Sequence, residues 1–217
     1  MKNDLELQRD VFDELKWEPA VHSTDIGVTV KDGVVTLEGV VDSYPEKWAA
    51  ERAAKRVAGV KALALELEVK LPVFGKHTDA DIAKAAEDAL EWNVLVPRDR
   101  IKVTVEKGFL TLEGEVNWQT ERSEAERAVR YLTGVKGVAN EITVKPKALP
   151  TDVKAKIEAA LNRNAILDAQ QIKVEADGGK VTLRGTVSSW AERDEAEAAA
   201  WAAPGVEEVK DFIAVTD

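Results

Sequence analysis

One nine-residue pattern occurs three times in this chain, and it constrains the fold more than any other feature. It reads Gly33-Val34-Val35-Thr36-Leu37-Glu38-Gly39-Val40-Val41, then Gly108-Phe109-Leu110-Thr111-Leu112-Glu113-Gly114-Glu115-Val116, then Gly179-Lys180-Val181-Thr182-Leu183-Arg184-Gly185-Thr186-Val187. The copies start 75 and 71 residues apart. A further glycine stands 26 residues after the start of each copy, and a valine follows it: Gly59-Val60, Gly134-Val135, Gly205-Val206. Fixed internal spacing at a long period means one folding unit written three times, not a single medium-sized domain. The expected modules are 1–71, 72–147 and 148–217, divided at the proline-bearing stretches 71–75 and 145–150.

Within each module the hydrophobic pattern predicts helix, strand, strand, helix, strand. Leu7, Val11 and Leu15 recur at the spacing of a helix face, as do Ile82, Ala86 and Leu90, and Val153, Ile157 and Leu161. Asn3, Thr78 and Thr151 are the expected N-caps. Apolar residues then alternate: Ile26, Val28, Val30, with Ile101, Val103, Val105 and Ile172, Val174, Ala176 as counterparts. Asp32-Gly33, Lys107-Gly108 and Gly178-Gly179 read as hairpin turns. Gly39, Gly114 and Gly185 fall on the inward face of the second strand, where a helix backbone is expected to approach or a bulge to form.

Ser43 with Glu46, and Ser189 with Glu192, are expected to form capping boxes for the second helix; the middle copy has Trp118 and Glu121, so either Asn117 caps it or the turn differs. An alanine-rich stripe on each second helix suits tight packing on a sheet, and Gly59, Gly134 and Gly205 end these helices. Asn140 and Asp211 sit at inward positions of the last strands and are expected to reach backbone partners. The expected class is α+β: three tandem αββαβ modules, each a small three-stranded mixed sheet with two helices packed on one face.

A helix, the run G-x-V-T-L-x-G-x-V and a second helix closing in Gly-Val before a last strand resemble the BON domain, the bacterial OsmY and nodulation family. Gly33, Gly39, Gly59, Gly108, Gly114, Gly134, Gly179, Gly185 and Gly205 are the structural glycines of this reading. The resemblance implies a non-enzymatic bacterial module, linked to osmotic and envelope stress. It implies attachment to phospholipid surfaces or chaperone-like contact with client proteins, and it leaves potassium binding as the alternative.

The residues themselves offer little for catalysis. There is no cysteine, and His22 and His77 stand apart. No nucleophile elbow, Walker loop or zinc motif occurs. Thr36, Thr111 and Thr182 repeat, but they lie mid-strand on the solvent side without a base nearby in sequence. The reading is therefore no enzyme, no catalytic residue, no bound metal and no cofactor. A net charge of −10 argues against a nucleic-acid partner. No apolar run is long enough to span a bilayer, so the protein is not expected to be an integral membrane protein. As written the chain reads as cytoplasmic, or as periplasmic if a leader has been removed.

Charge is uneven: the modules carry −4, −1 and −5. The nearly neutral second module carries Arg122, Arg127 and Arg130 beside Trp118. Tyr44 and Trp190 stand near the same helix start in the other copies, while Trp17 and Trp92 end the first helices. Tyr44, Trp118, Arg122, Arg127, Arg130 and Trp190 are the candidate contacts to a phospholipid surface or a protein client.

Overall fold

The computed structural model describes residues 3–71, 77–145, 152–164 and 171–216. The first repeat runs α1 (Asp4–Trp17), β1 (Ile26–Lys31), β2 (Val34–Val41), α2 (Tyr44–Arg56) and β3 (Ala62–Val69). The second runs α3 (Asp79–Trp92), β4 (Ile101–Glu106), β5 (Phe109–Val116), α4 (Gln119–Arg130) and β6 (Gly137–Val144). The third runs α5 (Val153–Arg163), β7 (Ile172–Asp177), β8 (Lys180–Val187), α6 (Trp190–Trp201) and β9 (Glu208–Val215). Each forms a three-stranded sheet with its strands in chain order. The expected αββαβ order holds throughout.

Register follows from the hairpin. Val28 lies opposite Leu37, Val103 opposite Leu112 and Val174 opposite Leu183, all antiparallel. Asp32 and Gly33 have φ of 54° and 80°, and Lys107 and Gly108 have 53° and 84°. Positive φ at both central residues is the turn whose twist matches a tight hairpin. The third strand returns parallel to its neighbour, with Leu112 beside Asn140 and Leu183 beside Asp211. Parallel strands need a crossover, and α4 and α6 provide it. The turn glycine then fixes the start of the last strand: its carbonyl accepts from Lys61 N at 2.9 Å, Lys136 N at 2.8 Å and Glu207 N at 2.8 Å in the three repeats.

The helix stripes and inward strand residues make each core. In the third repeat Ile157, Leu161, Val174, Val181, Leu183, Ala196, Ala200 and Ile213 form one buried cluster. Val60, Val135 and Val206, the valines after the helix-ending glycines, are buried as well. By compactness the chain divides into two units, one formed by the first and third repeats and one by the second repeat with Asp42–Pro45.

Two local expectations need correction. A Cβ at Gly39, Gly114 or Gly185 would fall on the carbonyl oxygen of Asp25, Arg100 or Gln171, the residue just before the first strand. The close approach therefore comes from the neighbouring strand's entry and not from a helix. Asn117 does not cap α4; Trp118 is the N-cap residue, and the Glu121 carboxylate accepts from Asn117 N at 2.7 Å and Trp118 N at 3.1 Å. Glu46 is buried, and its carboxylate accepts from His22 N at 2.8 Å, with His22 Nδ1 at 2.9 Å from the same oxygen. Asn3, Thr78 and Ser189 do cap their helices through their side chains. Thr151 lies outside the described residues, and α5 begins after Asp152, which makes no side-chain cap.

Candidate interaction surfaces

The six residues singled out from sequence are distributed over three repeats. Trp118 is about half exposed at the start of α4. Arg122 Nη2 donates to the Asn140 carbonyl at 3.1 Å, while Asn140 Nδ2 donates back to the Arg122 carbonyl at 3.0 Å. Arg130 is only 11% exposed and pairs with Glu126 at 2.6 Å. Arg127 reaches water but lies 3.3 Å from Glu124. The arginines of α4 thus bind their own repeat before they face outward. Tyr44 is half-buried.

Trp190, also half-buried, belongs to the packing of the first repeat against the third. The Arg193 guanidinium stacks on its ring at 4.7 Å, and Lys55 Nζ of α2 lies 5.6 Å from the ring centre. Beside it, burial raises the Asp194 carboxyl above its ordinary value, against the opposing pull of Lys55 and Arg193.

The inward polar residues of the last strands behave as expected. Asp211 accepts from Arg193 Nε at 2.5 Å and from Ile213 N at 2.8 Å. Asn140 accepts from Ile142 N at 3.3 Å. In the first repeat Leu65 takes this place, and Lys47, which stands where Arg122 and Arg193 stand, donates to the Leu67 carbonyl at 2.8 Å.

Among the described residues, the most exposed large apolar side chains lie elsewhere, at the ends of the first helices. Trp17 is 82% exposed and Trp92 is 86% exposed, at equivalent positions. After Trp92 the chain turns sharply: Leu95 N donates to Asn93 Oδ1 at 3.0 Å, and Val96 N to the Asn93 carbonyl at 3.0 Å. Buried Val96 anchors this tip, while Val94 and Leu95 project at 98% and 60% exposure. A short 3-10 turn, Arg98–Arg100, then leads into β4.

At the equivalent tip of the first repeat, Pro19 and Ala20 replace Val94 and Leu95, and Ser23 and Asp25 replace Arg98 and Arg100. The second tip is therefore the more apolar and the more basic. Sequence patterning understated it because a helix-ending tryptophan reads equally well as core. The later run Val94-Leu95-Val96 contains one inward residue and two outward ones, which periodicity does not separate.

Among the described residues no group of three His, Cys, Asp or Glu side chains is arranged to hold a metal ion. No helix among them is long and apolar enough to cross a membrane. The fold defines a class: tandem αββαβ repeats, two of which carry an exposed tryptophan at the end of the first helix.

The chain belongs to the BON domain family, whose model matches it three times, at residues 3–70, 78–146 and 151–217. It is 37% identical over 129 residues to osmotically-inducible protein Y of Escherichia coli (strain K12), a match covering 58% of this chain and 64% of that protein. The chain thus spans just under two thirds of that relative's length. Among solved structures it aligns with CdsD, a structural protein of the type III secretion system of Chlamydia trachomatis, at 14% identity and a TM-score of 0.27, covering 96% of this chain and 91% of that one. The PrgH periplasmic domain aligns at 11% identity and a TM-score of 0.21, covering 88% and 95%. Scores this low carry no argument about this chain.

Proposed function

We propose that this protein is a non-enzymatic binding protein of the bacterial osmotic-stress response, and that its second repeat docks on an anionic phospholipid surface. The stress assignment rests on the family and on the name of the Escherichia coli relative. The lipid assignment rests on one observation: Trp92, Val94 and Leu95 stand in water on a tip that also carries Arg98 and Arg100. An indole is suited to the headgroup level of a bilayer, and aliphatic neighbours to the acyl boundary. Basic residues near an anionic surface add about 1 kcal/mol each. Arg98 has Glu91 at 3.2 Å, an exposed pair that exchanges readily for phosphate.

Flotation with phosphatidylglycerol vesicles at low salt tests this. The whole chain is expected to float, and raising salt is expected to weaken it. Trp92→Ala is expected to abolish flotation, whereas Trp118→Ala is expected to leave it intact. Failure of the unaltered chain to float, or flotation of Trp92→Ala at the same level, rejects the reading.

A further inference from the structure

The sheets differ in charge on the face turned away from their helices. In the second repeat Lys102, Glu113 and Glu141 form one row across β4, β5 and β6. Glu113 and Glu141 stand exposed side by side, and like charges on neighbouring strands repel. Among the described residues neither carboxylate makes an ion pair, even with Lys102. Phe109 lies on the same face and is 59% exposed.

In the third repeat the same row reads Lys173, Arg184 and Phe212 across β7, β8 and β9. One acid has become a cation and the other an aromatic ring. The Arg184 guanidinium stacks on the Phe212 ring at 4.7 Å, and both side chains are more than half exposed. Lys173 and Arg184 share Glu175, at 2.9 and 3.9 Å, while Lys180 and Lys210 share Glu208, at 3.8 and 3.5 Å. Asp177, opposite Lys180, is the one further acid of these strand faces, so cations remain in excess there. This face is basic although the repeat as a whole is acidic.

We propose that this face of the third repeat docks on the corresponding face of the second repeat in another copy of the chain. Lys173 and Arg184 then meet the unpaired Glu113 and Glu141, and Phe212 and Phe109 add apolar contact. Arginine and aromatic side chains are the kinds that carry most of the energy of an interface. The first repeat is the poorer match, because its Glu38 lies folded over Gly27, with Cγ 3.0 Å from where a Cβ would stand. A net charge of −10 on each copy opposes approach from a distance. At about 0.15 M ionic strength screening acts within about 8 Å, so the groups in contact decide. The contact joins unlike faces, which leaves one of each kind free on every pair, and association runs past two copies unless it closes in a ring.

Sedimentation velocity on the whole chain tests the proposal, at about 100 μM because exposed pairs around two rings make a weak interface. Species heavier than the single chain are expected, with a share that rises with concentration. Arg184→Glu and Glu113→Arg are each expected to weaken association at least tenfold, with unchanged circular dichroism. Mixed in equal amounts, the two variants are expected to form a dimer and nothing larger: one keeps the acidic face and the other the basic one. Trp92→Ala is expected to associate like the unaltered chain, which separates this contact from the lipid tip. An unaltered chain that stays monomeric, variants that associate as it does, or a mixture that stays monomeric overturns the proposal.

Discussion

A single hydrogen atom in place of a methyl group decides whether each hairpin closes. Gly114 has a φ of 149°, which side chains rarely tolerate, and a Cβ there would meet the Arg100 carbonyl. Strain and overlap act together, so Gly114→Ala is expected to cost the second repeat about 3 kcal/mol. Urea unfolding followed by circular dichroism reads the loss; a shift under about 0.5 kcal/mol, the size of an ordinary surface change, contradicts it. Sequence showed that a glycine is needed at 39, 114 and 185, because the position repeats on an inward face. It did not show which atoms crowd it. Asp25, Arg100 and Gln171 belong to the entry of the first strand, far back along the chain, and no periodicity links them to the glycine. Glu46 makes the same point: nothing in its spacing from Ser43 announces that its carboxylate accepts from His22 N.

Between crossover helix and last strand, the repeats solve one problem in three ways. Arg122 grips Asn140, Arg193 grips Asp211, and Lys47 reaches the strand backbone beside apolar Leu65. The Arg193 and Asp211 side chains are 25% and 10% exposed, so removing one partner strands the other. Arg193→Ala is expected to destabilise the third repeat by about 2 kcal/mol, while Arg193→Met with Asp211→Leu costs less than the single change. A double-mutant cycle by urea denaturation checks the order; a double variant less stable than the single one refutes it. The helices and strands themselves were legible, since stripes such as Ile82, Ala86, Leu90 mark them directly. The tip after α3 was not: its two outward residues and one inward residue follow no helical or strand period.

Across the molecule, the repeats are alike in sequence yet unequal in company. The first and third form one compact unit, joined where Lys55 meets Trp190. The Asp194 carboxyl beside that contact is raised by burial above its ordinary 3.8. A group whose value is higher in the folded chain than in the unfolded one adds stability below its unfolded value and loses that contribution as pH rises through its folded value. Thermal unfolding of the whole chain is therefore expected to show a loss that begins above pH 3.8 and is complete once Asp194 is ionised, and Asp194→Asn is expected to remove that part of the profile. Profiles that coincide refute this. Nothing in the spacing of the repeats announces which of them pack together, because each repeat's pattern encodes its own core. The pairing depends on what differs between copies: Trp190, where the second repeat has Gln119, and Lys55, where it has Arg130.

That pairing also sets an order of events at the ribosome. Residues that complete the first repeat leave the exit tunnel before the surface they pack against is made, with an entire repeat synthesised in between. During that interval the face of α2 around Lys55 stands open to water and to whatever chaperones or neighbouring chains are near. Its charged and alanine-rich composition, with Glu51 and Lys55 paired at 2.9 Å, suits a surface that must wait in solution before it is covered.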